Sequence, residues 1–124
     1  VDFHGVHNWD LENTHWIPAY DPDSQPDDAR LAWESSPMAF IKTWRSPVLL
    51  IQGDDDRNVT FEETVDLADA LRKQGVPYQE LIFPDEIHAF LMHKTWIAAY
   101  TAAAEFLDQH LAAHPAGEAA AGGR

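Results

Sequence analysis

The sequence predicts an α/β fold, a mostly parallel sheet flanked by helices, and three observations predict it. Val48 to Ile51 is an unbroken apolar run, the pattern of a strand buried on both faces because helices cover it above and below. A second, mostly apolar run, Tyr78 to Phe83, returns after a helical pattern, which makes one strand–helix–strand crossover. Each strand ends in a polar burst, Gly53-Asp54-Asp55-Asp56-Arg57-Asn58 after the first and Pro84-Asp85-Glu86-Ile87-His88 after the second. The carboxyl edge of an open α/β sheet is where ligands and catalytic groups gather.

In chain order, Val1 to Val6 reads as a strand end, with His4, His7 and Asp10 in the loop after it. His-x-x-His with a nearby carboxylate invites a metal reading, but no third histidine stands at helical spacing. Trp9 to Pro26, rich in Trp, Pro, Asp and Asn, predicts an irregular loop anchored by burial of Trp9, Trp16 and Tyr20. Asp27 or Asp28 caps a short helix to about Ser35, and Pro37 ends it. Thr60 and Glu63 form a capping-box pair, Phe61, Val65, Ala68 and Leu71 recur at helical spacing, and Gly75 closes that helix. From Leu91 to about Ala112, Ile97, Tyr100, Ala104, Leu107 and Leu111 make a stripe that packs a long helix on the sheet, while His93 and His110 read as surface or packing residues. The Ala/Gly-rich tail frays, so residues 1–112 form the folded part and 113–124 a flexible tail.

A chain of 124 residues, 45% hydrophobic, suits one modest core, a single domain or part of one. It has no cysteine, hence no disulfide and no thiolate metal site. With 8 basic and 21 acidic residues the net charge is -13, which argues against nucleic acid, because neutralising phosphates needs clustered Lys and Arg. No apolar run approaches a membrane span, so no membrane partner is expected. Val1 falls in what reads as the middle of a fold, and the expectation is a fragment of a longer protein.

Strand, acidic loop, helix, strand, histidine loop, helix is the order of the last third of an α/β hydrolase, in which Ser, then Asp or Glu, then His follow along the chain. Composition does not choose among Asp54, Asp55 and Asp56 for the carboxylate; His88 is the base it would serve. An aspartate run after a strand is also ordinary turn chemistry. Asp54, Asp56, Asn58 and Thr60 alternate like calcium ligands in an EF-hand, but Val59 stands where that loop needs glycine and Val65 where it needs glutamate.

Ser46 to Leu111, with Leu31-Ala32-Trp33-Glu34-Ser35-Ser36-Pro37 before it, resembles the carboxyl-terminal part of the catalytic domain in the prolyl oligopeptidase family of serine peptidases, within it the acylaminoacyl-peptidase and dipeptidyl-peptidase-like members. Gly53-Asp54-Asp55-Asp56-Arg57-Asn58-Val59 and Phe83-Pro84-Asp85-Glu86-Ile87-His88 carry most of the likeness, and Val1-Asp2-Phe3-His4-Gly5-Val6-His7 resembles the family strand that follows the nucleophile helix.

The resemblance implies that Asp56, three residues before Val59, is the catalytic aspartate, that His88 is the catalytic histidine, and that Asn58 contacts substrate backbone. It implies a short peptide substrate, an acyl-enzyme, a propeller domain before the hydrolase domain, and neither metal nor cofactor. Ala89 departs from a common glycine and Thr60 from a common proline. No Gly-x-Ser-x-Gly occurs, since Ser24, Ser35, Ser36 and Ser46 lack the flanking glycines. The expectation is a chain that contributes Asp and His to a triad whose serine lies upstream, that is inactive alone, and that needs its missing half or associates with itself. The alternative is a non-catalytic α/β binding or regulatory module.

Overall fold

Val48–Gly53 (β2) is the middle strand of a three-stranded sheet ordered β1-β2-β3, with β1 at Asp2–Phe3 and β3 at Tyr78–Phe83. Both pairings are parallel: Asp2 faces Leu50, and Val48 to Gly53 run in step with Tyr78 to Phe83. The structure is a computed structural model and describes residues 1–111, so the tail lies outside the described residues.

Every residue of β2 is buried, as a strand covered on both faces requires. Its side chains alternate between two cores. Val48 and Leu50 pack with Leu67, Ala68, Leu71 and Val76 on one side; Leu49 and Ile51 pack with Phe90, Ala99 and Phe106 on the other. The first core is roofed by α3 (Phe61–Gln74) and the second by α4 (His93–Leu111).

The α3 helix ends as expected. Gly75 sits in the left-handed region at φ 73°, and Val76 N–H returns to Leu71 O at 3.0 Å. Its start differs from the expected capping box. Thr60 makes no side-chain cap, because its hydroxyl and its N–H are both taken by Glu12 at 3.0 Å. Glu63 instead accepts the N–H groups of His7 and Asn8, each at 2.9 Å. Of the expected apolar face, Ala68 and Leu71 are buried but Val65 is exposed, and Thr64 and Leu67 complete the buried side.

The α4 stripe is rotated relative to expectation. Ile97, Tyr100, Ala104, Leu107 and Leu111 are exposed, and Thr95, Ala99 and Phe106 are buried. The helix is apolar around much of its circumference, so periodicity offered two faces; small Ala99 lets the backbone come close to β2.

Residues 9–26 are not all irregular. Trp9–Trp16 forms a helix (α1) with Asn8 as its cap, the side chain accepting from Asp10 N–H and Leu11 N–H. Trp9 and Trp16 are about half exposed rather than buried anchors, and Tyr20 is held by its hydroxyl donating to Asp10. The residue this helix buries is Glu12, which no apolar pattern reveals. The next helix, α2 (Pro26–Glu34), starts with Pro26 in its first turn and Gln25 at the cap position, so Asp27 and Asp28 lie inside the first turn, where their charge suits the helix dipole. After it, Pro37–Thr43 forms a 3-10 helix.

Candidate active site

Parallel pairing places the carboxyl ends of β1, β2 and β3 side by side, and the loops leaving them carry His4, Asp56 and His88. The loops after β2 and β3 are joined by main chain. Asp54 N–H reaches Phe83 O and Asp55 N–H reaches Glu86 O, both at 3.2 Å, while Asp54 Oδ1 accepts from Asp85 N–H at 2.7 Å. Gly53 permits this approach: a Cβ there would stand 2.1 Å from the Glu86 carbonyl oxygen.

Asp56 and His88 meet in the middle. His88 Nδ1 lies 2.9 Å from Asp56 Oδ2, and because a carboxylate only accepts, Nδ1–H donates and Nε2 keeps a free lone pair. Asp56 Oδ1 accepts from Asn58 N–H at 2.9 Å and Val59 N–H at 3.0 Å, and Gln52 Nε2 adds a bond to Oδ2 at 3.3 Å. Burial by itself would raise this carboxyl's pKa; the Val59 N–H, the His88 ring, the Asn58 N–H and Gln52 outweigh it and hold Asp56 below the ordinary aspartate range. The Asp56 side chain is fully buried while the His88 side chain is 32% exposed. A buried carboxylate thus orients an imidazole that is itself partly exposed.

Further groups brace this pair. Gln52, the one polar side chain in an otherwise apolar buried strand, also donates to Val59 O at 2.8 Å. Glu86 is buried, accepting from Leu91 N–H and the Thr95 hydroxyl at 2.5 Å each; the Thr95 bond leads in lowering its pKa. Trp16 Nε1 donates to Asn58 O at 2.8 Å and to Glu12 at 3.1 Å, tying α1 to the aspartate loop. His4 packs at 4.0 Å between ring centroids from His88, 61° to its plane. Burial, then the neighbouring His88, lowers the His4 pKa. Sequence reasoning missed Gln52, Glu86, Glu12 and this role of His4; only Gln52, polar directly after an apolar run, carried a visible signal.

The expected neighbours sort differently. Asn58 is exposed beside the pair, its N–H turned to Asp56. Arg57 forms an exposed pair with Asp55 at 3.2 Å, of small energetic weight. The EF-hand arrangement is not formed: Asp54 is spent on Asp85 and Asp56 on the turn and His88. Nor do His4, His7 and Asp10 converge. Among the described residues, His4, Asp56 and His88 are the set with donor atoms all within 4.8 Å.

His7 is instead buried with Nδ1 3.2 Å from Glu63 O and Nε2 2.9 Å from Asp2 Oδ2. Both nitrogens face acceptors, which suits the imidazolium. Burial opposes that charge, but the bond to Asp2, its charge and the Glu63 carbonyl prevail and raise the His7 pKa above 6.5. Burial first of all pushes Glu63 up to about 7 from 4.5, and its Oε1 has no hydrogen-bond partner among the described residues. Values raised on folding contribute stability that is complete below the unfolded pKa and lost as pH rises through the folded one. Depressed Asp56 and Glu86 contribute stability that is lost as pH falls through their folded values. Urea unfolding should therefore show greatest stability at about pH 5, where the Asp56 and Glu86 contributions are complete and the Glu63 loss begins, and a decline toward about pH 8, opposed in part by the lowered His4 and flattened by His7→Gln. Stability that climbs across that range would reject the assignment.

A parallel sheet covered by helices, with an acid and a base at adjacent strand ends, is the carboxyl-terminal portion of an α/β-hydrolase fold. Residues 1–114 match the model of the prolyl oligopeptidase family, and the chain belongs to that family. It is 29% identical to dipeptidyl-peptidase 5 of Porphyromonas gingivalis over 72% of this chain and 13% of that protein. It is 36% identical to acylamino-acid-releasing enzyme 2 of Oryza sativa over 51% of this chain and 8% of that one. A puromycin-hydrolysing peptidase of Mycobacterium tuberculosis superposes with a TM-score of 0.75 and 28% identity, covering 92% of this chain and 18% of its own. The chain therefore spans only a small part of the relatives it matches.

Proposed function

We propose that this chain supplies the Asp and His of a Ser-His-Asp triad in a peptidase acting on short peptides, with the serine carried by a segment upstream. The observation behind the reading is the 2.9 Å bond from His88 Nδ1 to a fully buried Asp56, with the His88 side chain 32% exposed. His88 Nε2 would take the serine hydroxyl proton as general base and return it to the leaving amine as general acid; Asp56 would hold the tautomer and stabilise the imidazolium. Exposed Asn58, beside this pair, would contact the substrate backbone. The resemblance and the named relatives support a peptide substrate.

The 124 residues alone should not turn over a dipeptide or acyl-amino-acid chromogenic substrate above buffer, whereas the parent protein should. Turnover by the isolated chain overturns the placement of the serine; a parent whose upstream sequence lacks Gly-x-Ser-x-Gly makes this a binding module instead. β1 and β3 are the outer strands of the described sheet, and Ile97, Tyr100 and Leu107 are exposed. Such bare edges and apolar faces favour association. Light scattering at high concentration should show self-association, and a monodisperse monomer would contradict it.

A further inference from the structure

We propose that His4, Asp56 and His88 form a binding site for one divalent ion of the zinc class, and that this ion and the acid–base pair exclude each other. The three residues leave three adjacent strand ends, and each offers one donor atom, all within 4.8 Å of one another. Zinc holds imidazole nitrogen and carboxylate oxygen at roughly 2.0–2.2 Å, so tetrahedral donors stand about 3.3–3.6 Å apart. His88 Nδ1 and Asp56 Oδ2, at 2.9 Å, are about half an ångström short of that spacing. His4 has the larger distance to close.

The sequence holds His4 where it can do so. Its N–H is fixed to Ile51 O at 2.8 Å, its φ is 40°, and its ring stands edge-on to Phe3 and Phe90 at 5.3 and 6.0 Å. Two imidazoles and one carboxylate suit zinc, nickel or copper, whereas calcium and magnesium prefer all-oxygen shells. The partial exposure of the His88 side chain gives an entry path, and the fourth position would fall to water. His7, the other histidine near this edge, cannot serve because both of its nitrogens are engaged.

Binding has a chemical consequence for the pair. An ion on Nδ1 displaces the hydrogen held there to Nε2, and Asp56 exchanges a hydrogen bond for coordination; no proton is lost and nothing is oxidised. The nitrogen that would serve as general base then carries a hydrogen and has no lone pair to offer. The site itself stands apart from the peptidase reading; only the inhibition rests on it.

The test is calorimetric titration of zinc chloride into the metal-free 124-residue chain at neutral pH, compared with His4→Phe, His88→Gln and the surface control His15→Asn. His4→Phe keeps an aromatic ring against Phe3 and Phe90, and circular dichroism melts check each variant, with His4→Gln in reserve if it does not fold. The expected result is one ion per chain, weakened about tenfold or more by loss of either His4 or His88 and unchanged in the control. Weakening by His4→Phe of less than about tenfold, or binding lost with His15, overturns the site. In the parent enzyme zinc should inhibit over the same concentration range and a chelator should restore activity. Binding without inhibition overturns the mutual exclusion while leaving the site, and a parent that hydrolyses nothing fails the peptidase reading without touching the calorimetry.

Discussion

Asp56→Asn, made in the longer protein we propose to carry the nucleophile upstream, should lower kcat by about four orders of magnitude with little change in KM. The direction follows from which way the new amide must face. Oδ1 accepts two main-chain N–H groups, from Asn58 and Val59, so the oxygen of the asparagine has to occupy that position. Its NH2 group then points at His88 Nδ1 and at Gln52 Nε2, where donors already stand. His88 is driven to the tautomer with hydrogen on Nε2, which cannot accept a proton from serine. His88→Ala should cost a similar amount, and the double variant no more than the worse single, because the residues act as a unit. A rate for Asp56→Asn within about tenfold of the unaltered enzyme would remove Asp56 from the role.

Gly53→Ala should lower stability by about 3 kcal/mol or more. The added carbon would lie 2.1 Å from the Glu86 carbonyl oxygen and 2.5 Å from its carbon. Both are main chain and cannot swing aside. Relief requires the two loops to part, which breaks the Asp55-to-Glu86 bond and draws His88 from Asp56. Urea denaturation should register the loss, and the parent enzyme should lose activity with it. A variant with an unchanged unfolding midpoint would show that the loops are not pressed together as described.

The parts of the molecule legible in the sequence are those whose signal is local. β2 announces itself as an apolar run because both its faces are covered, and α3 by spacing and by Gly75. The Asp56–His88 pair was legible as residue types at two strand ends, but choosing Asp56 over Asp54 and Asp55 needed likeness to a family. What failed was long-range or polar. α1 hides because it buries Glu12 rather than a leucine, and the partner of Glu12 is Thr60, 48 residues away. The Thr60–Glu63 capping box was a sound local pattern overridden by two tertiary claims on the same groups. The α4 face was misassigned because an alanine-rich helix leaves its buried side to be decided by the sheet.

Four of the acidic side chains that make this chain so negative are turned inward: Glu12, Asp56, Glu63 and Glu86 are all buried. Each accepts main-chain N–H groups of a loop or turn at the site end of the sheet. The cores beneath are held by Leu49, Leu50, Ile51 and their neighbours and have no such dependence. The molecule is thus built in two materials, a hydrocarbon floor that denaturant dissolves and a carboxylate-laced rim in which protons unlace Asp56 and Glu86. Acid and urea should dismantle it from opposite ends.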